Sequence, residues 1–316
     1  MKKKQPFFSI LLPLRAPRAR LQKSIDSVLA QREGDWELIA VEEGKNRELR
    51  LPKDKRIRRV SSKGSGLSAA RNTGVASAQG KYVAFLDSGD EWEASYLSIL
   101  KQLIRDFPGA GLYGTNYWID DGKEKWVNPL RLPAGWRGRK RYFFDWMYYG
   151  RPPFCASSVV LPLSAARQNP FVDNLKAGED ILVWFQVALR HETAYLKEPH
   201  STYFLGKPEG KGVYFGPMNH FDWLAMGQRL KKAGQLSSEA EKFTVWATLL
   251  QIRKMIANGW REQAFRLLDR CPKTRFPLYT AYLLGLAFFP QSLWKMLQPG
   301  VKSARWFLTG GFFSKG

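Results

Sequence analysis

The sequence has little of what holds small secreted or metal-bound domains together. Of its 316 residues only two are cysteine, Cys155 and Cys271, and only three are histidine. Two cysteines so far apart give no disulfide framework, and a Cys/His metal centre lacks ligands. No stretch reaches the roughly 20 apolar residues that a membrane-spanning helix needs. The start, Met1-Lys2-Lys3-Lys4-Gln5-Pro6, has the basic residues of a signal peptide, but the apolar run after it is short and broken by Pro13 and Arg15. A protein of the reducing cytoplasm is expected. Acidic residues are scarce too: 28 Asp and Glu against 50 Lys and Arg leave a formal charge of +22. That balance favours an anionic partner, whether nucleic acid, a phosphorylated substrate or an acidic membrane surface, without choosing among them. No internal repeat or low-complexity segment is evident.

What is present is a well-stocked core, with 44% hydrophobic and 14% aromatic residues, which excludes disorder. The most informative stretch is Gly66-Leu67-Ser68-Ala69-Ala70-Arg71-Asn72-Thr73-Gly74 followed by Gly80 to Trp92. Residues 66–78 read as a helix, and Tyr82 to Leu86 is an unbroken apolar run between Gly80 and Ser88-Gly89, as in a buried parallel strand. Ligands of open α/β sheets lie beyond the carboxyl ends of such strands, which is where Asp87 and Asp90 fall. Upstream, Phe7 to Leu12 reads as a strand, Arg18 to Gln31 as an amphipathic helix, Trp36 to Val41 as a second strand ending in Glu42-Glu43-Gly44, and Ile57 to Val60 as a third. Repeated strand, helix, strand units give right-handed crossovers and parallel strands. The acidic strand ends can be simple turn chemistry. Grouped carboxylates beside water also suit a hard divalent cation.

The ordered set Phe8-Ser9-Ile10-Leu11-Leu12-Pro13, Ser27-Val28-Leu29-Ala30-Gln31, Trp36 to Gly44, Ala70-Arg71-Asn72-Thr73-Gly74 and Phe85-Leu86-Asp87-Ser88 resembles glycosyltransferase family 2 over about residues 6–205. The resemblance implies a GT-A-type Rossmann-like sandwich and inverting transfer of a sugar from a nucleotide donor, UDP-type, to a glycan or lipid-linked saccharide of cell-surface polysaccharide. It implies donor contacts at Pro13, Arg15, Glu43, Arg71, Asp87, Ser88 and Glu179. A metal, Mg²⁺ or Mn²⁺, falls to Asp87 and Asp90, and the catalytic base to Asp180 of Gly178-Glu179-Asp180. A single displacement needs such a carboxylate opposite the departing diphosphate. Without the resemblance, Glu179-Asp180 reads as acids placed against a helix dipole. The chain departs from the family pattern where Glu43 replaces Asp, where Arg15-Ala16 replaces Tyr-Asn, and where Gly89 takes the position of a third acid in Asp87-Ser88-Gly89-Asp90. The usual Tyr-Arg-x-His is Tyr203-Phe204-Leu205-Gly206 here, leaving Lys207 or Lys211 for the diphosphate. His191, His200 and His220 read as surface or structural.

Leu97 to Phe107 is expected to be helical, and Gly111 to Trp118 a strand turning at Asp120-Asp121-Gly122. Residues 131–151 interleave cations with Trp136, Tyr142, Phe143, Phe144, Trp146, Tyr148 and Tyr149. This fits single-stranded nucleic acid, an acceptor surface, or an amphipathic helix packed on the core. Residues 1–215 are expected as the catalytic domain, with a nucleotide half at about 1–125 and an acceptor half at about 126–215. Residues 216–316 are expected as an α-helical extension. There Ser238-Glu239-Ala240-Glu241 fits a capping box, a helix runs over about 261–270, and Phe276 to Pro290 is apolar with Trp294, Lys295, Lys302, Arg305 and Trp306 following. These features suit either peripheral binding to an anionic cytoplasmic leaflet or packing on protein, including a second copy. With the resemblance no nucleic-acid partner is expected. The alternative is a non-catalytic basic binding module, for nucleic acid or anionic polymer, on a degenerate scaffold.

Overall fold

The computed structural model describes residues 5–43, 50–130, 132–141, 152–173, 175, 178–205, 221–272 and 276–288. The chain divides into two compact units, Met1–Phe143 with Arg151–Gly210, and Phe144–Gly150 with Lys211–Gly316. The first carries strands β1 (Phe8–Pro13), β2 (Trp36–Glu42), β3 (Ile57–Ser61), β4 (Tyr82–Phe85), β5 (Glu91–Trp92), β6 (Leu112–Asp120), β7 (Lys125–Val127), β8 (Arg137–Lys140), β9 (Val159–Pro162) and β10 (Thr193–Phe204). Its helices are α1 (Arg18–Leu29), α2 (Leu67–Ser77), α3 (Tyr96–Asp106), α4 (Leu163–Gln168) and α5 (Glu179–Ala188). The strands form one sheet in the order β3-β2-β1-β4-β9-β6-β10-β5, with β7 on β6 and β8 on β10.

β1 pairs in parallel with β2 on one side and β4 on the other, so that Ile10 faces Leu38 and Ala84 along the ladder. β1 and β2 are buried along their whole length because helices cover both sheet faces, hence the unbroken apolar runs. Side chains alternate between those faces. Ile10, Leu12, Leu38 and Ala84 pack with Leu21, Ile25 and Val28 of α1 and with Leu97, Leu100 and Leu103 of α3. Leu11 points the other way, against α2, where a Cβ on Gly74 would stand 3.0 Å from its methyl carbons. Phe85 shares that face and meets Phe171 and Trp184, with ring centroids 5.5 and 5.4 Å away. The parallel arrangement brings the carboxyl ends of β1, β2 and β4 together, placing Pro13, Glu43 and Asp87 at one edge of the sheet. β1 lies between β2 and β4, so the two acidic strand ends are next-nearest neighbours.

Two features depart from the sequence expectations. β9 inserts antiparallel between β4 and β6, with Val160 beside Ala84 and Tyr113. Arg137–Lys140 of the basic, aromatic segment form an edge strand on β10, antiparallel to it, rather than a helix. Its alternation turns Arg137 to Asp106 and Arg139 to Glu192. Residues 131 and 142–151 of that segment lie outside the described residues.

In the second unit, α6 (Trp223–Lys232), α7 (Ser238–Ala257), α8 (Arg261–Arg270) and α9 (Pro277–Phe288) gather Trp246, Leu249, Ile252, Leu268, Leu283 and Leu286 into a separate core. The cap of α7 is Ser237, not Ser238. Ser237 is extended, and its Oγ accepts the Ala240 N–H at 3.1 Å, so the helix begins one residue after the cap. Among the described residues no helix is long and apolar enough to cross a membrane. Trp294, Lys295, Lys302, Arg305 and Trp306 lie outside the described residues.

The tight return into β4 depends on Gly80, whose N–H donates to Ser9 Oγ at 2.7 Å. A Cβ there would stand 2.6 Å from Ser9 N and 2.8 Å from Phe8 C, both backbone atoms of the central strand. Gly80→Ala is expected to lower unfolding free energy in urea by about 1–3 kcal/mol, the range for forcing an extra carbon into packed surroundings.

Candidate active site

The loop after β2 delivers Glu43 to the start of α2. Its Oε1 accepts from Ser65 Oγ at 2.7 Å and from the Gly66 N–H at 2.6 Å. Arg15, from the loop after β1, reaches its Oε2 at 2.9 Å. The Ser65 bond, the Gly66 N–H and then Arg15 hold the Glu43 carboxyl below the usual range. A carboxylate at a helix N-terminus is also favoured by the exposed amide donors there. Ser88 Oγ accepts from the Arg15 and Ala16 N–H groups at 3.3 and 3.0 Å, tying the β1 loop to the β4 end. Pro13 closes β1, buried beside Val41. Glu42, next to Glu43, points inward to Arg59 at 2.9 Å.

Arg71 occupies the centre. It lies on the second turn of α2 with its side chain 2% exposed. Small neighbours, Ser68, Ala69, Ala70, Thr73 and Gly74, let that helix pack closely on the sheet, so the guanidinium has no path to bulk water. It is compensated instead by two acids. Nη2 donates to both oxygens of Asp87, at 2.7 and 2.9 Å, and Nη1 to Glu179 Oε1 at 2.8 Å. The Phe171 ring lies 5.2 Å from the guanidinium carbon. Glu179 and Asp180 open α5 directly after Gly178, which is left-handed at φ 81°. Burial and then Glu179 push the Asp180 carboxyl up, Arg71 and the Ile181 N–H pull it down, and the balance stands at about 6.

Asp90 lies deeper than its spacing predicts. It is 4% exposed, its Oδ2 accepts from Ser157 Oγ at 2.6 Å and its Oδ1 from the Phe204 N–H at 3.0 Å. Burial first, then the charge of Asp87, raise its carboxyl to about 8, against the Ser157 and Phe204 bonds and Arg20. Gly89 before it has φ 101°, a conformation that an L side chain adopts only with strain. Asp87 is the more open of the two, with its side chain 29% exposed and its N–H on Ser157 Oγ at 2.9 Å.

The structure therefore brings together Pro13, Arg15, Glu43, Arg71, Asp87, Ser88, Glu179 and Asp180, with Asp90 beneath. Lys207 and Lys211 lie outside the described residues. Ser157 is the site residue that sequence reasoning missed. It is fully buried on the short 3₁₀ turn Ala156–Ser158 and joins Asp87 to Asp90, and the apolar run that follows it in β9 was its one local signal. His200 Nδ1 lies 3.0 Å from Glu93 Oε2 and makes a hydrogen bond there.

The family described as glycosyl transferase family 2 matches residues 9–161. Those residues, just under half of the chain, are similar to that family. An uncharacterized glycosyltransferase of Rickettsia felis is 28% identical over 178 residues, which are 54% of this chain and 28% of that protein. WfgD of Escherichia coli, a UDP-Glc:alpha-D-GlcNAc-diphosphoundecaprenol beta-1,3-glucosyltransferase, is 30% identical over 132 residues, 39% of this chain and 52% of that one. The chain thus spans under a third of the first relative and about half of the second. Among solved structures, S. aureus TarS 1–349 in complex with UDP-GlcNAc superposes with a TM-score of 0.59 at 14% identity, covering 89% of this chain and 88% of that one. That likeness is one of fold, and the fold is of the GT-A type.

Two outcomes are expected from this geometry. Arg71→Met should cost about 3 kcal/mol in denaturant unfolding, the lower end for removing one member of a buried pair, because Asp87 keeps access to water. Asp90 has a carboxyl raised in the fold above its unfolded value, so folding takes up a proton and stability falls as pH rises from about 4 to about 8. Asp90→Asn, which keeps the shape without the charge, should flatten that part of the melting-temperature profile; an unchanged slope would show that Asp90 is not the group titrating.

Proposed function

We propose that the chain is an inverting glycosyltransferase that moves a sugar from a UDP-linked donor to a saccharide or lipid-linked saccharide acceptor in cell-surface polysaccharide synthesis. The observation that carries this reading is the buried Arg71 holding Asp87, at the end of a central strand, against Glu179, next to Asp180. A donor-side carboxylate and a base-side carboxylate are thereby held on one rigid cation. The donor complex of TarS and the sugar-diphosphate lipid in the name of WfgD support a nucleotide-sugar donor and a lipid-linked acceptor. An acceptor of that kind, and the basic charge of the chain, support a position at the cytoplasmic face of an anionic membrane.

In this reading Glu43 and Arg15 take the base and ribose, with Pro13 and Ser88 shaping the wall between them. Asp87 and Arg71 face the ribose and diphosphate. Asp180 accepts the proton of the acceptor hydroxyl as its oxygen bonds the anomeric carbon and the nucleoside diphosphate departs from the opposite face. A carboxyl balanced near 6 is mostly ionised at neutral pH and still basic enough to take that proton.

A divalent cation, Mg²⁺ or Mn²⁺, supplies positive charge to the leaving diphosphate when bound. Asp87 fits a hard cation, being partly open to water, and one carboxylate with the donor's own phosphate oxygens is a sufficient set for Mg²⁺. Asp90 does not fit in this arrangement, since at 4% exposure it has no face open to a hydrated cation.

Asp180→Asn is expected to lower kcat about 10²-fold or more while leaving UDP binding intact. In the parent, kcat/KM for transfer should rise with pH through about 6, where Asp180 gives up its proton, and then level off. A thermal-shift screen of nucleotide sugars with and without Mn²⁺ identifies the donor. Near-normal transfer by Asp180→Asn, or no stabilisation by any nucleotide sugar, overturns the reading.

A further inference from the structure

A cleft of about 380 Å³ opens beside Gly89, between α1 and the β6–β7 hairpin, and none of the residues given a substrate role above lines it. Its volume is that of a small-molecule site. Four strands and a helix build its walls, β5 through Glu91. Asp120, at the end of β6, has Lys125 opposite it on β7 and Phe204 opposite it on β10. From α1, Arg20 lays its guanidinium over the Phe204 ring, 4.9 Å from the centroid. Lys23 lies three residues further along α1, on the same face, and is exposed. Among the described residues neither Arg20 nor Lys23 is held in a salt bridge, though the Arg20 charge also acts on Asp90.

The lining is mixed in a way that narrows the ligand. Glu124 joins Asp120 on the hairpin side, and Glu91 of β5 adds a third carboxylate, each able to accept hydrogen bonds. A nucleic-acid strand wants an uninterrupted basic groove, which these carboxylates break. A phosphorylated saccharide presents both complements at once: an anionic group for the guanidinium and ammonium, and hydroxyl donors for the carboxylates.

The cleft is also joined to the β4 end. Ser24, four residues after Arg20, accepts the Gly89 N–H at 3.0 Å and donates to the Asp90 carbonyl at 2.7 Å. A ligand held by Arg20 therefore rests against the same loop that presents Asp87.

We propose that this cleft binds a phosphorylated sugar, its phosphate on Arg20 and Lys23 and its hydroxyls on Asp120 and Glu124, as an anionic subsite for the acceptor. The acceptor role rests on the transferase reading above; the binding itself does not. The test is isothermal titration of the full chain with glucose 6-phosphate, inorganic phosphate, glucose and, separately, UDP. Glucose 6-phosphate is expected to bind, and more tightly than inorganic phosphate. The double variant Arg20→Gln, Lys23→Gln should weaken it tenfold or more without changing UDP affinity. Lys23→Gln alone, at an exposed position, should weaken it severalfold, and circular dichroism verifies the fold of each variant. Asp120→Asn should weaken glucose 6-phosphate and spare inorganic phosphate. Absence of binding, equal affinity in parent and double variant, or equal affinity for phosphate and sugar phosphate, which marks an adventitious anion only, would overturn the proposal. Charge-dependent binding of glucose 6-phosphate with no binding of UDP supports the cleft and removes the donor reading instead.

Discussion

The guanidinium of Arg71 is a positive charge with almost no water around it, and such a charge is tolerable only with anions in direct contact. Its two partners come from far apart in the chain, Asp87 from 16 residues away and Glu179 from 108 residues away. Each is thereby fixed by a demand that its own segment does not make. Asp87 is held at the end of β4, and the first turn of α5 is drawn to the same point, which brings Asp180 with it. The candidate chemistry follows from charge compensation inside a dry helix-sheet interface.

A second layer of bonds shows why the acids at the β4 end are not equivalent. Ser157 donates its hydroxyl to Asp90 and receives the Asp87 N–H, so one buried side chain sets both. Asp90 consequently serves the architecture, linking the β4 end to β10 through the Phe204 N–H. Gly89 belongs to the same arrangement. Its φ of 101° turns the loop between the two acids, and an acid in its place would carry backbone strain together with a charge beside Asp90. The departure of this chain from the family pattern at that position is therefore matched by its backbone.

The surplus of positive charge has a definite distribution as well. Several acids of the first unit are paired: Glu37 with Arg58, Glu42 with Arg59, Glu33 with Lys101 and Asp54 with Arg56. Cations outnumber acids in the sequence, and the cleft beside Gly89 is lined by both, with Arg20, Lys23, Lys123 and Lys125 set among Glu91, Asp120 and Glu124. Cations set against carboxylates in a concave site interact more strongly than on an open surface, because there the solvent that screens exposed charges is partly excluded.

The sequence by itself determined the parallel half of the sheet. β1, β2 and β4 announce themselves as apolar runs, α1 and α3 as periodic stripes, and the acids Glu43, Asp87 and Glu179-Asp180 as breaks at the ends of those elements, because strand burial, helix amphipathy and turn chemistry are properties of short windows. What only the tertiary structure decided depends on which distant segments meet. β9 inserted between β4 and β6, Arg137–Lys140 paired as an edge strand, Ser157 arrived between two aspartates, and Asp90 turned inward while Asp87 stayed open. None of these is visible in a window of ten residues, since register and burial are set by the partner strand, and a side chain's charge state by what the fold removes from water around it.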